Sequence, residues 1–272
     1  MFNNKLKDKV ALVTGSSTGI GKAIAFGLLE QGCRVAFNGL ATKEQIDDLL
    51  HQASVLTQKS PKEQQKNVFS FYAANMKSPN EISRMIHDII KDYGQIDILV
   101  NNAGIQYVSP IEDFPEDKWH NIIDINLNAN FYTIKHVLPV MKKNGWGRII
   151  NIVSAHGLVA SPFKSAYVAA KHGLIGLTKT VALETAQMNI TCNAICPGYV
   201  KTALVEKQIQ DQAKAHQIPV ERVIEDIILA PQPTKKFVEE SEVTTAVIFL
   251  CQPQAASITG IALPIDGGWT AR

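Results

Sequence analysis

Seven short apolar runs, separated by polar turns and longer amphipathic stretches, set the rhythm of this chain. The runs occupy residues 9–14, 34–37, 68–72, 96–101, 147–153, 190–195 and 260–265 and are rich in Val, Ile and Phe, which predicts strands. They are apolar at successive rather than alternate positions, so both faces must be covered. Between them, apolar residues at helical spacing predict helices over residues 23–29, 43 to about 56, 81–93, 118–142 and 165–187. Strand and helix in alternation imply an α/β fold with a doubly wound parallel sheet, whose ligands bind across the carboxyl edge. One domain, residues 1–272, is expected.

Residues 202–236 break the rhythm. They carry Glu206, Lys207, Gln208, Gln210, Asp211, Gln212 and Gln217 among scattered apolar residues, bounded by Pro197 and Gly198 on one side and Pro231 and Pro233 on the other. An insertion at the sheet's carboxyl edge is well placed to be a helical lid that closes on substrate and excludes water. A polar helical hairpin serving only as surface fits the same composition.

A chain of 272 residues suits one large α/β core. Charged residues make up 19% and nearly cancel at +2, too weak a field to suggest a nucleic-acid partner. No run approaches the roughly 18 apolar residues of a membrane span. The first seven residues, which lack the apolar stretch of a secretory leader, are expected to be a short arm. Cys33, Cys192, Cys196 and Cys251 make no Cys-x-x-Cys pair and fall in or beside apolar segments, so they read as reduced packing residues of a cytoplasmic protein, with no metal implied.

Two local devices carry candidate chemistry. The first strand runs into Gly15, Ser16, Ser17, Thr18, Gly19, Ile20 and Gly21 and then a helix, the order a Rossmann-type dinucleotide turn requires. Glycines permit the tight bend and close approach, and the helix N-terminus attracts a pyrophosphate. At the other device, Tyr167 and Lys171 share one face of a helix at i, i+4 spacing. A phenol ionises near pH ~10, so it acts as a base at neutral pH only where a neighbouring ammonium favours the phenolate, and Lys171 is placed to do that. Ser154, from a separate segment, can hydrogen-bond the oxygen that Tyr167 protonates or deprotonates. Together they suit a carbonyl/alcohol couple.

In order along the chain, Thr14 with Gly15, Gly19, Ile20 and Gly21, then Asn101, Asn102, Ala103 and Gly104, Asn126, Ser154, Tyr167 with Lys171, and Pro197 with Gly198 resemble the short-chain dehydrogenase/reductase family, over nearly the whole length. The resemblance implies Tyr167 as acid/base, Ser154 as its partner on the substrate oxygen, and Lys171 as the residue that lowers the tyrosine pKa and holds the nicotinamide ribose. It implies Asn126 as the anchor of a water in a proton relay. For the cofactor it implies Gly15, Ser17, Thr18, Gly19, Ile20, Gly21, Asn38, Asn75, Met76, Asn102, Ala103 and Gly104, with Pro197, Gly198, Val200 and Thr202 around the nicotinamide. It makes the insertion at 202–236 the substrate-binding segment, and it implies a homotetramer with the helices from Lys118 and Ser165 at one interface.

Within the family, residues 104–106, 111–115, 154–160, 164–167, 205–208 and 266–272 resemble the bacterial D-3-hydroxybutyrate dehydrogenases. Gln106, His156, Lys164 and Gln208 would then hold a substrate carboxylate and Trp269 would form a wall. The implied reaction is reversible hydride transfer from (R)-3-hydroxybutyrate to NAD, giving acetoacetate. Asn38, Gly39 and Leu40 at the end of the second strand lack an arginine for a 2′-phosphate, which favours NAD, although Lys43 is near. Without the resemblance, Lys164 would read as a surface charge, His156 as a turn residue and the two glutamines as ordinary amides. A different alcohol or a 3-oxoacyl thioester is the alternative substrate, and a catalytically silent dinucleotide-binding regulator the alternative class.

Overall fold

The computed structural model describes residues 5–57, 68–202, 205–206, 209–210, 213 and 218–271. All seven expected strands form: β1 (Val10–Val13), β2 (Arg34–Gly39), β3 (Phe69–Ala73), β4 (Ile98–Asn101), β5 (Gly147–Ile152), β6 (Ile190–Pro197) and β7 (Ala262–Ile265). They pair in parallel in the order β3-β2-β1-β4-β5-β6-β7. The order reverses between β1 and β4, which opens a crevice at their carboxyl ends.

Alternation of side chains explains why these strands are apolar throughout. In β1, Ala11 and Val13 join a core beneath α1 (Gly19–Glu30), α2 (Lys43–Thr57) and the last long helix. Val10 and Leu12 point the other way, into a core with α3 (Pro79–Tyr93) and two further helices. β1, β4, β5 and β6 are buried at every residue. This is a Rossmann-type doubly wound sheet.

Several boundaries differ from the expected ones. The helix expected over 118–142 is α4 (Glu116–Ile123) and α5 (Ala129–Asn144), joined by one π turn, Asp124–Asn128. Polar side chains brace that turn. Asn128 Nδ2 donates to Asp124 Oδ1 at 2.9 Å, and Asn130 Nδ2 donates to the Asn126 carbonyl at 2.8 Å. Helix α6 (Ser165–Thr185) stops before residue 187, where Thr185 Oγ turns back onto Val181 O and also reaches Ile190 O. Within 202–236 the described residues include α7 (Val220–Val223), continued by a π turn, Ile224–Ile228. Beyond it, α8 (Glu240–Cys251) starts from a capping box between Glu239 and Glu242.

The four cysteines are free and buried. Among the described residues no helix is long and apolar enough to cross a membrane.

Candidate active site

At the switch point the ends of β1 and β4 are stitched together by side chains. Thr14 Oγ accepts from the Asn102 and Ala103 amides at 3.0 and 3.1 Å, and Asn102 Nδ2 donates to the carbonyls of Thr14 and Gly15, both at 3.0 Å. Gly15 and Gly19 take φ of +62° and +55°, where a side chain is strained. A Cβ on Gly21 would collide with the Gly15 carbonyl and the Asn102 amide. The turn therefore lies tight against β4, and α1 begins beside it with no side-chain cap from Thr18, leaving its first amides free for an anion.

A cleft of about 520 Å³ results. Its walls hold Gly15, Ser17, Thr18, Gly19, Ile20, Gly21, Asn38, Asn75, Met76, Asn102, Ala103, Gly104, Pro197, Gly198 and Thr202, and its inner end reaches Ser154, Tyr167 and Lys171. Val200 lines the neighbouring smaller cavity instead. The cradle of glycines, the uncapped helix end and the elongated cleft fit a nicotinamide dinucleotide.

Asn38 lies in the wall with its amide already engaged. Its Nδ2 donates to Tyr72 O at 3.0 Å and its Oδ1 accepts from Gly15 N at 3.3 Å, so it shapes the wall that it shares with Gly39 and Leu40. Asn75 Oδ1 likewise accepts from Lys77 N at 3.0 Å.

Tyr167 and Lys171 sit one turn apart on α6, and Ser154 follows β5. Lys171 Nζ lies 5.5 Å from the Tyr167 ring and donates to Ile152 O at 2.8 Å. Burial pushes the Tyr167 phenol up to about 12, opposed by its hydrogen bond with Ser154, and pushes Lys171 down to about 8. Desolvation outweighs the Ser154 hydrogen bond, and nearby Tyr199 and Cys196 add to the rise.

Asn126 lies in the π turn, fully buried. Its Oδ1 accepts from Ile105 N and its Nδ2 donates to Ile105 O, both at 2.9 Å, so its side chain clamps the loop after Gly104.

Beside these groups opens a second cavity of about 120 Å³ lined by Gln106, Ser154, His156, Lys164, Tyr167, Tyr199, Thr202, Val205 and Trp269, among others. Six of the seven residues expected at the substrate line it: Gln106, His156, Lys164 and Trp269 meet here with Ser154 and Tyr167. Gln208 lies outside the described residues.

Lys164 is only 7% exposed and has no carboxylate partner among the described residues. Its Nζ donates to Tyr199 Oη at 2.9 Å, and burial lowers its pKa to about 8. Gln106 Nε2 is buried with no hydrogen-bond partner among the described residues. His156 is held neutral, since burial and then Lys164 lower its pKa to about 3. Its Nε2 lies 2.9 Å from Ser161 Oγ, its Nδ1 3.4 Å from Ser154 Oγ, and its backbone amide donates to Ser154 Oγ at 3.2 Å. It thus orients Ser154 as well as bordering the cavity.

Trp269 stacks on Tyr199 at 5.6 Å and 10° and meets His156 edge-on at 5.0 Å. Asp266 holds its turn by accepting from Gly268 N and Thr270 N. Tyr199 was missed in the sequence. Its only signal was position, directly after Gly198 at the carboxyl end of β6.

A family model described as short chain dehydrogenase matches residues 9–213. The D-beta-hydroxybutyrate dehydrogenase of Rhizobium meliloti (strain 1021) is 50% identical over 264 residues, covering 97% of this chain and 99% of the relative. The protein of that name from Cupriavidus necator is 45% identical over 98% of this chain and 100% of its own length. Among solved structures, an actinorhodin polyketide ketoreductase with NADPH superposes at a TM-score of 0.89 with 31% identity, covering 100% of both chains. This chain belongs to the short-chain dehydrogenase/reductase family and is an oxidoreductase that takes a nicotinamide dinucleotide.

Proposed function

We propose that the chain interconverts (R)-3-hydroxybutyrate and acetoacetate, using NAD. The observation that carries this reading is the buried Lys164 ammonium, without a carboxylate partner among the described residues, beside the unpaired Gln106 amide in the cavity that Ser154 and Tyr167 share. Buried charges are ordinarily paired, so a cation left bare in a substrate cavity matches an anionic ligand. A cavity of about 120 Å³ suits a small acid. The names of the 50% and 45% identical relatives support the same substrate.

A bound nicotinamide dinucleotide would supply the acceptor for the hydride leaving C3 and, in its oxidised form, a positive charge favouring the phenolate. Lys164 and Gln106 hold the carboxylate, fixing the carbinol carbon toward the cleft. Ser154 Oγ, steadied by His156, bonds the reacting oxygen. Tyr167 takes the hydroxyl proton during oxidation and returns it during reduction. Lys171, whose Nζ keeps further hydrogens beyond the one given to Ile152, would relay the proton through waters to solvent, donating one hydrogen as it regains another. Asn126 secures the loop that carries Gln106.

NAD is favoured in this reading because the cleft wall at the end of β2 presents Gly39 and Leu40, the latter 71% exposed, and no arginine among the described lining residues. The segment 202–236 acts as the lid, supported by Thr202 and Val205 in the cavity wall. Phe131 on α5 and Leu183 on α6 leave apolar surface for a homotetramer.

The test is nicotinamide absorbance with purified protein, each enantiomer of 3-hydroxybutyrate, and NAD⁺ or NADP⁺. Reduction of NAD⁺ by the (R)-enantiomer alone is expected. Silence with both enantiomers, with turnover of a 3-oxoacyl thioester, would overturn the substrate and leave the chemistry of Tyr167 standing.

A further inference from the structure

Tyr199 does more in the substrate cavity than supply a wall. An ammonium only donates, so in the 2.9 Å contact between Lys164 Nζ and Tyr199 Oη the phenol oxygen must accept. Its own hydrogen then remains to be given. Among the described residues no hydrogen bond uses it, and no carboxylate lines the cavity. The Gln106 Nε2 group lines the same cavity, also without an acceptor. Three donors, one of them cationic, therefore border one small space. Their complement is an anion with more than one acceptor oxygen.

Ring packing fixes where the phenol sits. Tyr199 stacks flat on Trp269, stands edge-on to His156 at 6.4 Å, and its amide is held by Gln232 Oε1 at 2.5 Å. Gln232 is itself buried and donates to Lys236 O at 2.6 Å, so the main chain at Tyr199 is braced from beneath. The hydroxyl is pre-placed.

We propose that Tyr199 Oη is an anion-binding group, which accepts from Lys164 and donates to the substrate carboxylate, and that this pair sets the preference for hydroxy acids over neutral alcohols. This rests on the hydroxy-acid reading of the site.

The test compares kcat/KM for (R)-3-hydroxybutyrate with that for its methyl ester, in the wild-type protein and in Tyr199→Phe, which keeps the stacked ring. A hydrogen bond to a charged group is worth about ten- to a hundredfold, so the acid-to-ester ratio should fall by about tenfold or more, chiefly through KM for the acid. With Lys164→Met the two changes should be less than additive. Tyr199→His restores a ring donor and should recover part of the ratio.

An unchanged ratio in Tyr199→Phe would overturn the inference, as would a folded histidine variant no better than phenylalanine. Calorimetric titration with butyrate separates this inference from the function it rests on. Weaker butyrate binding in Tyr199→Phe, with no turnover of hydroxybutyrate by the wild type, would leave the anion clamp standing and sink the substrate. Turnover by the wild type with equal butyrate affinity in both proteins would sink the clamp alone.

Discussion

The dinucleotide cleft and the substrate cavity share Ser154, Tyr167 and Thr202, yet they are built on opposite principles. In the cleft, polar side chains are spent on the protein itself. Asn38, Asn102 and Thr14 bond neighbouring backbone, and the phosphate end of the cleft is dominated by glycines beside an uncapped helix end. In the cavity, donors are left unspent: the Lys164 ammonium lacks a carboxylate and Gln106 Nε2 lacks any partner among the described residues. A long ligand with a repeated backbone can be recognised by shape, whereas a small acid must be recognised by the charge it neutralises.

The largest effect should come where the two regions meet. Replacing Tyr167 with Phe removes the proposed proton-transfer group but no part of the glycine cradle, so turnover should fall by about 10²–10⁴-fold while dinucleotide affinity stays. Rapid kinetics with fluorescence titration of the reduced dinucleotide checks both. A variant with normal turnover would end this mechanism.

Next in size is a break on the cavity side only. Lys164→Met should raise KM for the hydroxy acid by about 10–100-fold. The same change removes a buried cation and should make the protein more stable by about 1–3 kcal/mol, read from its urea midpoint. A loss of stability would mean that the lysine is paired in a way the site does not display.

A break on the cleft side should be of similar or smaller size. Gly21→Ala puts a methyl group against the Gly15 carbonyl and Asn102, so dinucleotide Kd should rise about tenfold. Butyrate binding to the unloaded protein should not change. If both fell together, the two sites could not be treated as separately built.

How much of this was legible follows the same division. The glycine turn and the Tyr167–Lys171 pair were readable because they are local: a few residues of one turn, or i and i+4 on one helix. The strands were readable because burial on both faces makes them continuously apolar. Tyr199 was not, since its partners Lys164 and Trp269 come from distant segments and only the folded sheet edge brings them together. The π turn at Asn126 was hidden because one extra residue barely disturbs an apolar period. The burial that dominates the Tyr167 shift was not legible either, since spacing reveals the lysine but not the desolvation around the phenol. The spent amide of Asn38 was equally invisible, since its partners lie on β3 and in the glycine turn.

The smallest effect, and the finest test of the contrast, is in pH. Lys164 keeps its cation below about 8 and loses it above, so affinity for the hydroxy acid is full at lower pH and declines as pH rises through that value. KM should climb roughly fourfold between about pH 7 and about pH 8.5. Tyr167 works in the opposite sense. Its phenol, raised to about 12 in the protein alone, must lose a proton to act as base, so kcat for oxidation should rise over the same range while ketone reduction falls. His156, neutral above about 3, contributes to neither trend. Lys164→Met should therefore flatten the KM profile and leave the slope of kcat intact. A KM that still climbed in that variant would assign the titration to another group and remove the main electrostatic argument for a carboxylate in the cavity.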